Sequence, residues 1–458
     1  MKGSKMGKNE KEAQSNLLFA LFLTTTFQFC FSDAKHLHNN MKIETKSPNH
    51  FGSSLVFPVR GDVFRTGSFY ISMNIGNPPR TYFLDIDTGS DLTWVQCAPA
   101  LGAKLLKAPN SPYKPNNNPV SCNDRLCAFV NKPADFQCKA LTDQCDYEVE
   151  YVDYGSSLGV LVRDSFPLRF TNGSVYRPTM AFGCGYDQEF SGPIPPPYVD
   201  GVLGLANGKS SLISQLRNLG LTRNVVGHCF NGQGGGHLFF GDDLIPSGIV
   251  WTPMLSNSLN HYKSGPVDLL FDGKILVAKG LSIVFDSGST YTYLNSPAYQ
   301  ATLIKVRTGL TGKPLMAVKD GSLPVCWKGE KPFKSIDAVL NYFSPLVLSF
   351  PNGNNVRFVL PPNNYLIITS NGNVCLGILD GTATNLGHLN VIGDISMLDK
   401  LVVYDNERQM IGWALANCNR PVTTQNPPHT DLVSQGRPNG HTYFFHFFVS
   451  MITLYNVT

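Results

Sequence analysis

The chain has 458 residues, enough to bury a large core in one long unit or in two lobes. Charged residues make up only 15%, beside 42 glycines and 31 prolines, which argues against disorder, coiled coil and helical repeats and favours many short strands joined by turns. A net charge of +4, with basic residues scattered, leaves no footprint for nucleic acid.

In chain order, Lys2, Lys5, Lys8 and Lys11 precede an apolar run from Leu17 to about Phe31. Residues 1–32 therefore read as a signal peptide; the run is shorter than a bilayer-spanning helix requires, which disfavours an uncleaved anchor. Its removal would take Cys30 and leave ten cysteines, an even number with no Cys-x-x-Cys pair at zinc-finger spacing. Disulfides and an oxidising compartment follow, either extracellular (the apoplast) or vacuolar, with the connectivity left open. Residues 33–66 are polar and weakly periodic, as in a short pro-segment or flexible lead-in, so ordered structure is expected from about Gly67.

Residues 68–75 alternate with a period near two, residues 76–79 form a turn around Gly76 and Pro78, and residues 81–86 resume an extended run. The same texture returns at 147–170, 238–240, 281–285 and 401–404, while helical patterns are confined to 211–219 and 297–307. The expected fold is mostly β.

Two distant segments resemble each other: FLDIDTGS, ending at Ser90, and LSIVFDSGST, ending at Thr290. Each is an apolar strand closing on Asp-Thr/Ser-Gly-Ser, and each has a later apolar-apolar-Gly partner, at 202–205 and 391–394. The repeated order points to a duplicated lobe, 67–245 and then 246–418. In each copy a glycine, Gly89 or Gly288, gives a tight turn that fixes the preceding carboxylate. If the lobes bring Asp87 and Asp286 face to face, the pair will share a proton: one member can take a proton from water while the other donates to a substrate carbonyl. Ser90 and Ser289, three residues after each aspartate, are placed to hydrogen-bond the carboxylates from outside the pair.

These segments, together with CDYEVEYVDYGSSLGVLVRD ending at Asp164, FGCGYDQ from Phe182, DGVLGLANGKSSLISQL from Asp200, GNVCLGILDG from Gly372 and VIGDISMLDKLVVYDNERQMIGWA ending at Ala414, resemble the pepsin-like aspartic endopeptidases, and specifically their plant nucellin-like branch. The resemblance covers roughly residues 67–418. It implies a bilobal, mostly β fold with the cleft between two homologous lobes, Asp87 and Asp286 as the catalytic pair and polypeptide as substrate; a monomer is expected, and since the histidines lack ligand spacing, no metal or cofactor is. It also implies a β-hairpin flap whose tyrosine bonds the indole of Trp94; in this chain Tyr151 fits that role by spacing better than Tyr154.

Some features depart from the family pattern. A small cysteine cluster usual after the first catalytic motif is missing, which leaves the partner of Cys97 open. Tyr154 stands where glycine is commoner. Beyond Cys418, a polar, Pro-rich stretch ends in an apolar run at 443–455, which reads as a functionless variant tail in preference to a lipid-anchor signal. Sequons begin at Asn172 and Asn456, marking glycosylation sites if the chain is secreted. The rival reading is a catalytically inactive protease-like binding or inhibitor protein of the secretory pathway; such proteins usually lose one aspartate or its glycine, and all four residues are present here.

Overall fold

The computed structural model describes residues 54–420, apart from 99–107, 134–135, 141, 190–198, 257–259, 322 and 354–355. The expected signal peptide, the start of the lead-in, the tail beyond Arg420, Cys30 and the sequon at Asn456 lie outside the described residues.

Strand Ser68–Ile75 buries Phe69, Ile71, Met73 and Ile75 and leaves the residues between them more exposed, the pattern its alternation predicts. It turns at Gly76, whose φ of +96° suits a residue without Cβ, into strand Arg80–Asp87. This second strand runs from exposed Arg80 and Thr81 to four consecutive buried residues, so Asp87 arrives at the centre of the molecule.

Both strands belong to a 13-stranded sheet. From Arg80–Asp87 it continues through Gly201–Gly204, Trp94–Gln96, Thr179–Glu189 and Ser156–Ser165 to an edge at Asp146–Glu150. In the other direction it passes from Ser68–Ile75 through Leu55–Asp62, Gly236–Phe240 and Val225–Phe230 into Lys400–Asp405 and Met410–Leu415. The two halves thus share a sheet: Val226 of the first pairs with Tyr404 of the second, so a boundary after residue 245 divides the sequence and not the sheet. A seven-stranded sheet carries most of the second half, with Lys274–Phe285 beside Asn390–Ile392.

Order begins before Gly67. Leu55–Asp62 is a strand paired on one side with Gly236–Phe240 and on the other with Ser68–Ile75. Its sequence, LVFPVRGD, hides this because Pro58, Arg60 and Gly61 interrupt the alternation, while its order comes from ladders with segments far along the chain. The lead-in reading therefore fails for residues 55–66.

Two helices fall where the patterns place them, while the four-residue helix Asp394–Met397 is too short to show a helical period and falls outside the expected elements. Leu212–Asn218 is capped by the Ser211 side chain, which accepts from the Ser214 amide, and Ser296–Gly309 by Asn295, which accepts from the Ala298 amide. Apolar packing is continuous across the halves: Phe69 stacks on Phe230 at 4.3 Å within the first and Tyr262 on Tyr404 at 4.1 Å within the second, in one cluster, and the His228 ring of the first half lies 5.7 Å from the Tyr404 ring of the second.

All ten cysteines from Cys97 onward are paired: Cys97 with Cys184, Cys122 with Cys138, Cys127 with Cys145, Cys229 with Cys418, and Cys326 with Cys375. The missing cluster does not orphan Cys97. Its strand lies parallel to Thr179–Glu189, with Val95 opposite Cys184, so the strand pairing supplies the partner.

Candidate active site

The two Asp-Thr/Ser-Gly turns are built alike. Arg80–Asp87 pairs in parallel with Gly201–Gly204, Asp87 opposite Gly204; Lys274–Phe285, which delivers Asp286, pairs in parallel with Asn390–Ile392. The glycines closing the partner segments are required by crowding. A Cβ on Gly204 would lie 2.6 Å from the Asp91 carbonyl carbon, and one on Gly393 would lie 2.1 Å from the Tyr291 carbonyl oxygen.

Within each turn the carboxylate is fixed by its own loop. Asp87 Oδ1 accepts from the Gly89 amide at 2.7 Å and the Ser90 amide at 3.2 Å, and its Oδ2 accepts from the Ser90 hydroxyl. Asp286 Oδ1 accepts from the Gly288 amide at 2.9 Å and its Oδ2 from the Ser289 hydroxyl at 2.5 Å. Ser90 and Ser289 hold the carboxylate oxygens that do not take the glycine amides.

Between the turns a reciprocal brace fixes the separation. The Thr88 hydroxyl donates to the Phe285 carbonyl at 3.2 Å and accepts from the Ser287 amide at 2.9 Å. The Ser287 hydroxyl in return donates to the Ile86 carbonyl at 2.8 Å and accepts from the Thr88 amide at 3.1 Å. All four groups are buried, so breaking any one bond would strand a desolvated partner. The brace sets Gly89 against the opposite aspartate: a Cβ there would sit 2.5 Å from Asp286 Oδ1. Only glycine permits this approach.

Asp87 and Asp286 are fully buried. Burial, and next the facing Asp286 charge, hold the Asp87 carboxyl well above the usual carboxylate range, against the opposing pull of its Ser90 and Gly89 bonds. The pair therefore retains a proton in acid and keeps one member able to donate while the other accepts.

Two further acids surround the dyad that the sequence pattern did not single out. Asp85 lies two residues before Asp87 on the same strand and is raised by burial and by Asp286. Asp394 follows Gly393, is raised by burial and by Asp85, Asp286 and Asp87, and neither of its carboxyl oxygens has a hydrogen-bond partner among the described residues. A raised carboxyl stabilises the fold fully below its unfolded value near pH 4, and that contribution is lost as pH rises through the folded value. Asp394→Asn removes the titration, so its unfolding temperature relative to wild type should shift in the variant's favour between pH 3.5 and pH 7. A difference that stays constant over that interval would contradict the placement of Asp394.

Over the dyad, strands Asp146–Glu150 and Ser156–Ser165 form a hairpin, with Glu150 opposite Ser156. The Trp94 indole donates to the Tyr151 hydroxyl at 2.7 Å, and the nearby Asp87 charge helps burial to raise the Tyr151 hydroxyl well above its usual range. Tyr154, by contrast, sits at the hairpin tip at φ +66° with 69% of its surface exposed. Leu92, Trp94, Tyr147 and Tyr151 pack in one cluster with Cys122, Cys127 and Cys145, so two disulfides stiffen the floor on which the hairpin stands. Asn172 lies apart, exposed in the turn between Leu168–Arg169 and Val175–Tyr176, where its side-chain oxygen accepts from the Ser174 amide and hydroxyl.

Similarity to known proteins follows the same plan. Residues 69–242 match the family model described as Xylanase inhibitor N-terminal, and residues 272–414 the one described as Xylanase inhibitor C-terminal. An aspartic proteinase of Oryza sativa subsp. japonica is 45% identical over 385 residues, covering 80% of this chain and 92% of that protein. Aspartic proteinase 39 of Arabidopsis thaliana is 28% identical, covering 85% and 83%. The crystal structure of Basic 7S globulin from soybean superposes with a TM-score of 0.61 at 17% identity, covering 82% of this chain and 100% of that one, a likeness of fold alone. With both halves matched in order and the two Asp-Thr/Ser-Gly turns interlocked by reciprocal hydrogen bonds, the chain belongs to the pepsin-like aspartic protease family.

Proposed function

We propose that this protein is an acid-active aspartic endopeptidase of the plant nucellin-like branch, acting on polypeptides as a monomer in the secretory pathway. The observation that carries the reading is the braced pair of turns, which holds Gly89 against Asp286 and keeps a proton on the dyad. One carboxylate takes a proton from a water between the two, whose oxygen attacks the peptide carbonyl carbon while the other carboxyl protonates the carbonyl oxygen. As the resulting diol collapses and the C–N bond breaks, the departing nitrogen takes the proton gained from water, and a diol hydroxyl returns its proton to the ionised carboxylate, which restores the singly protonated dyad. No covalent link to the enzyme forms.

Burial of the pair matters because the same charges in water would be screened and would ionise separately. The five disulfides support an oxidising compartment, extracellular or vacuolar. Against the inactive binding-protein reading stand Asp87, Gly89, Asp286 and Gly288, each present and in its hydrogen-bonded place. The test is digestion of an unfolded protein by the purified chain from pH 3 to pH 8, with and without a chelator and a statine-containing peptide. Cleavage should be confined to acid pH, be indifferent to the chelator and be blocked by the statine. Inactivity of a soundly folded chain across the whole range would favour the binding-protein reading.

A further inference from the structure

The flap does not hang free over the cleft. Its tip residue, Tyr154, accepts a hydrogen bond at its hydroxyl from the Asn385 side-chain amide, a residue of the other half of the chain. Asn385 ends the short turn Thr382–Thr384 in a loop tied down at both sides: the Gly381 amide donates to the Leu294 carbonyl at 2.8 Å, and the Leu386 amide to the Gly381 carbonyl at 2.9 Å. Leu294 ends the strand Thr292–Leu294 that leaves the second Asp-Ser-Gly turn, so this loop stands on the Asp286 side of the dyad. The flap root, where Tyr151 meets Trp94, stands on the Asp87 side. The Tyr154–Asn385 contact therefore bridges the two walls above the dyad.

Both partners adopt the left-handed backbone region, Tyr154 at φ +66° and Asn385 at φ +65°. For tyrosine this conformation is unfavourable, and it is held by the tight turn in which the Tyr154 amide donates to the Tyr151 carbonyl at 2.9 Å and the Tyr151 amide to the Gly155 carbonyl at 2.8 Å. The turn aims an exposed ring across the cleft. A glycine in its place would relax the backbone and lose the bridge.

We propose that Tyr154 and Asn385 form a latch that holds the flap closed in the free enzyme, so that a polypeptide enters only when the latch opens. This rests on the endopeptidase reading, since it is the dyad that the latch covers. A single neutral, solvent-exposed hydrogen bond biases the closed state by roughly 2- to 10-fold, and the apparent affinity of anything that needs the open state is reduced in proportion. Specificity then falls on substrates flexible enough to enter during brief openings, while folded chains are excluded.

Two variants remove the bond from opposite sides with little else changed: Tyr154→Phe deletes only the hydroxyl, and Asn385→Gly deletes the amide side chain while keeping a residue that accepts the φ of +65°. The first measurement is the association rate of a statine-containing peptide at acid pH, by stopped flow. Each variant should associate roughly 2- to 10-fold faster than wild type, and the double variant no faster than either single one, because both remove the same bond. Unchanged rates in both single variants, or additive effects in the double, would overturn the latch. The second measurement is hydrogen exchange over residues 147–158 in the unliganded protein, which needs no catalysis. Exchange there should quicken in both variants, and protection equal to wild type would overturn the latch independently. Failure of the statine peptide to bind wild type at all would count against the endopeptidase reading, and exchange alone would then decide the latch.

Discussion

Asp87→Asn and Asp286→Asn should each lose at least about 10²- to 10⁴-fold in peptide cleavage at acid pH, since each removes one half of the general acid–base pair and the activation of water depends on both. The fold should survive. An asparagine oxygen at position 87 can still accept from the Gly89 and Ser90 amides, and neutralising one member relieves the repulsion that raises the Asp87 carboxyl. Tyr151→Phe supplies the contrast in the same assay. It strands the Trp94 indole donor without touching the carboxylates, so the loss should stay near ~10-fold, the size of one hydrogen bond. Circular dichroism checks that each variant keeps its β structure. Substantial cleavage by either asparagine variant would overturn the assignment of the pair.

The second large effect concerns the frame. Cys229 and Cys418 are 189 residues apart and join a strand of the first half to the chain just after the last strand of the second. Opening that closure with paired serines should lower stability by about 5 kcal/mol in the chain-entropy model, against about 3 kcal/mol for the 16-residue separation of Cys122 and Cys138. Denaturant midpoints measured on the two double variants check the order. The shorter bridge should show a further effect on catalysis, because it underlies the flap hairpin. Equal losses, or the reverse order, would mean that restriction of the unfolded chain is not what these bridges supply.

What was legible in the sequence follows from what each feature depends on. The dyad could be read because the chain carries it twice, and because Asp-Thr/Ser-Gly after an apolar strand has a local geometric meaning: the glycine makes the turn and the turn fixes the carboxylate. The Trp94–Tyr151 bond was reachable through resemblance and spacing. Strand Leu55–Asp62 was not, because its pairing partners Gly236–Phe240 and Ser68–Ile75, and not its own alternation, make it a strand. The partner of Cys97 depends on a parallel pairing with a strand 87 residues further on, which no spacing rule specifies. Asp85 and Asp394 look like ordinary polar residues until the two halves close over them, when each becomes a buried carboxyl under the influence of the dyad. Asn385 lies in a polar loop, and its partner Tyr154 is 231 residues away, so only the folded chain joins them.

The most direct test of the central claim is the pH dependence of kcat/KM for a short peptide, measured on wild type with and without a chelator. A dyad that must hold one proton and lose the other gives a bell confined to acid pH, falling on the alkaline side as the second carboxyl ionises and unaffected by chelation. Full activity sustained to neutral pH, or activity that disappears with the chelator, would contradict it.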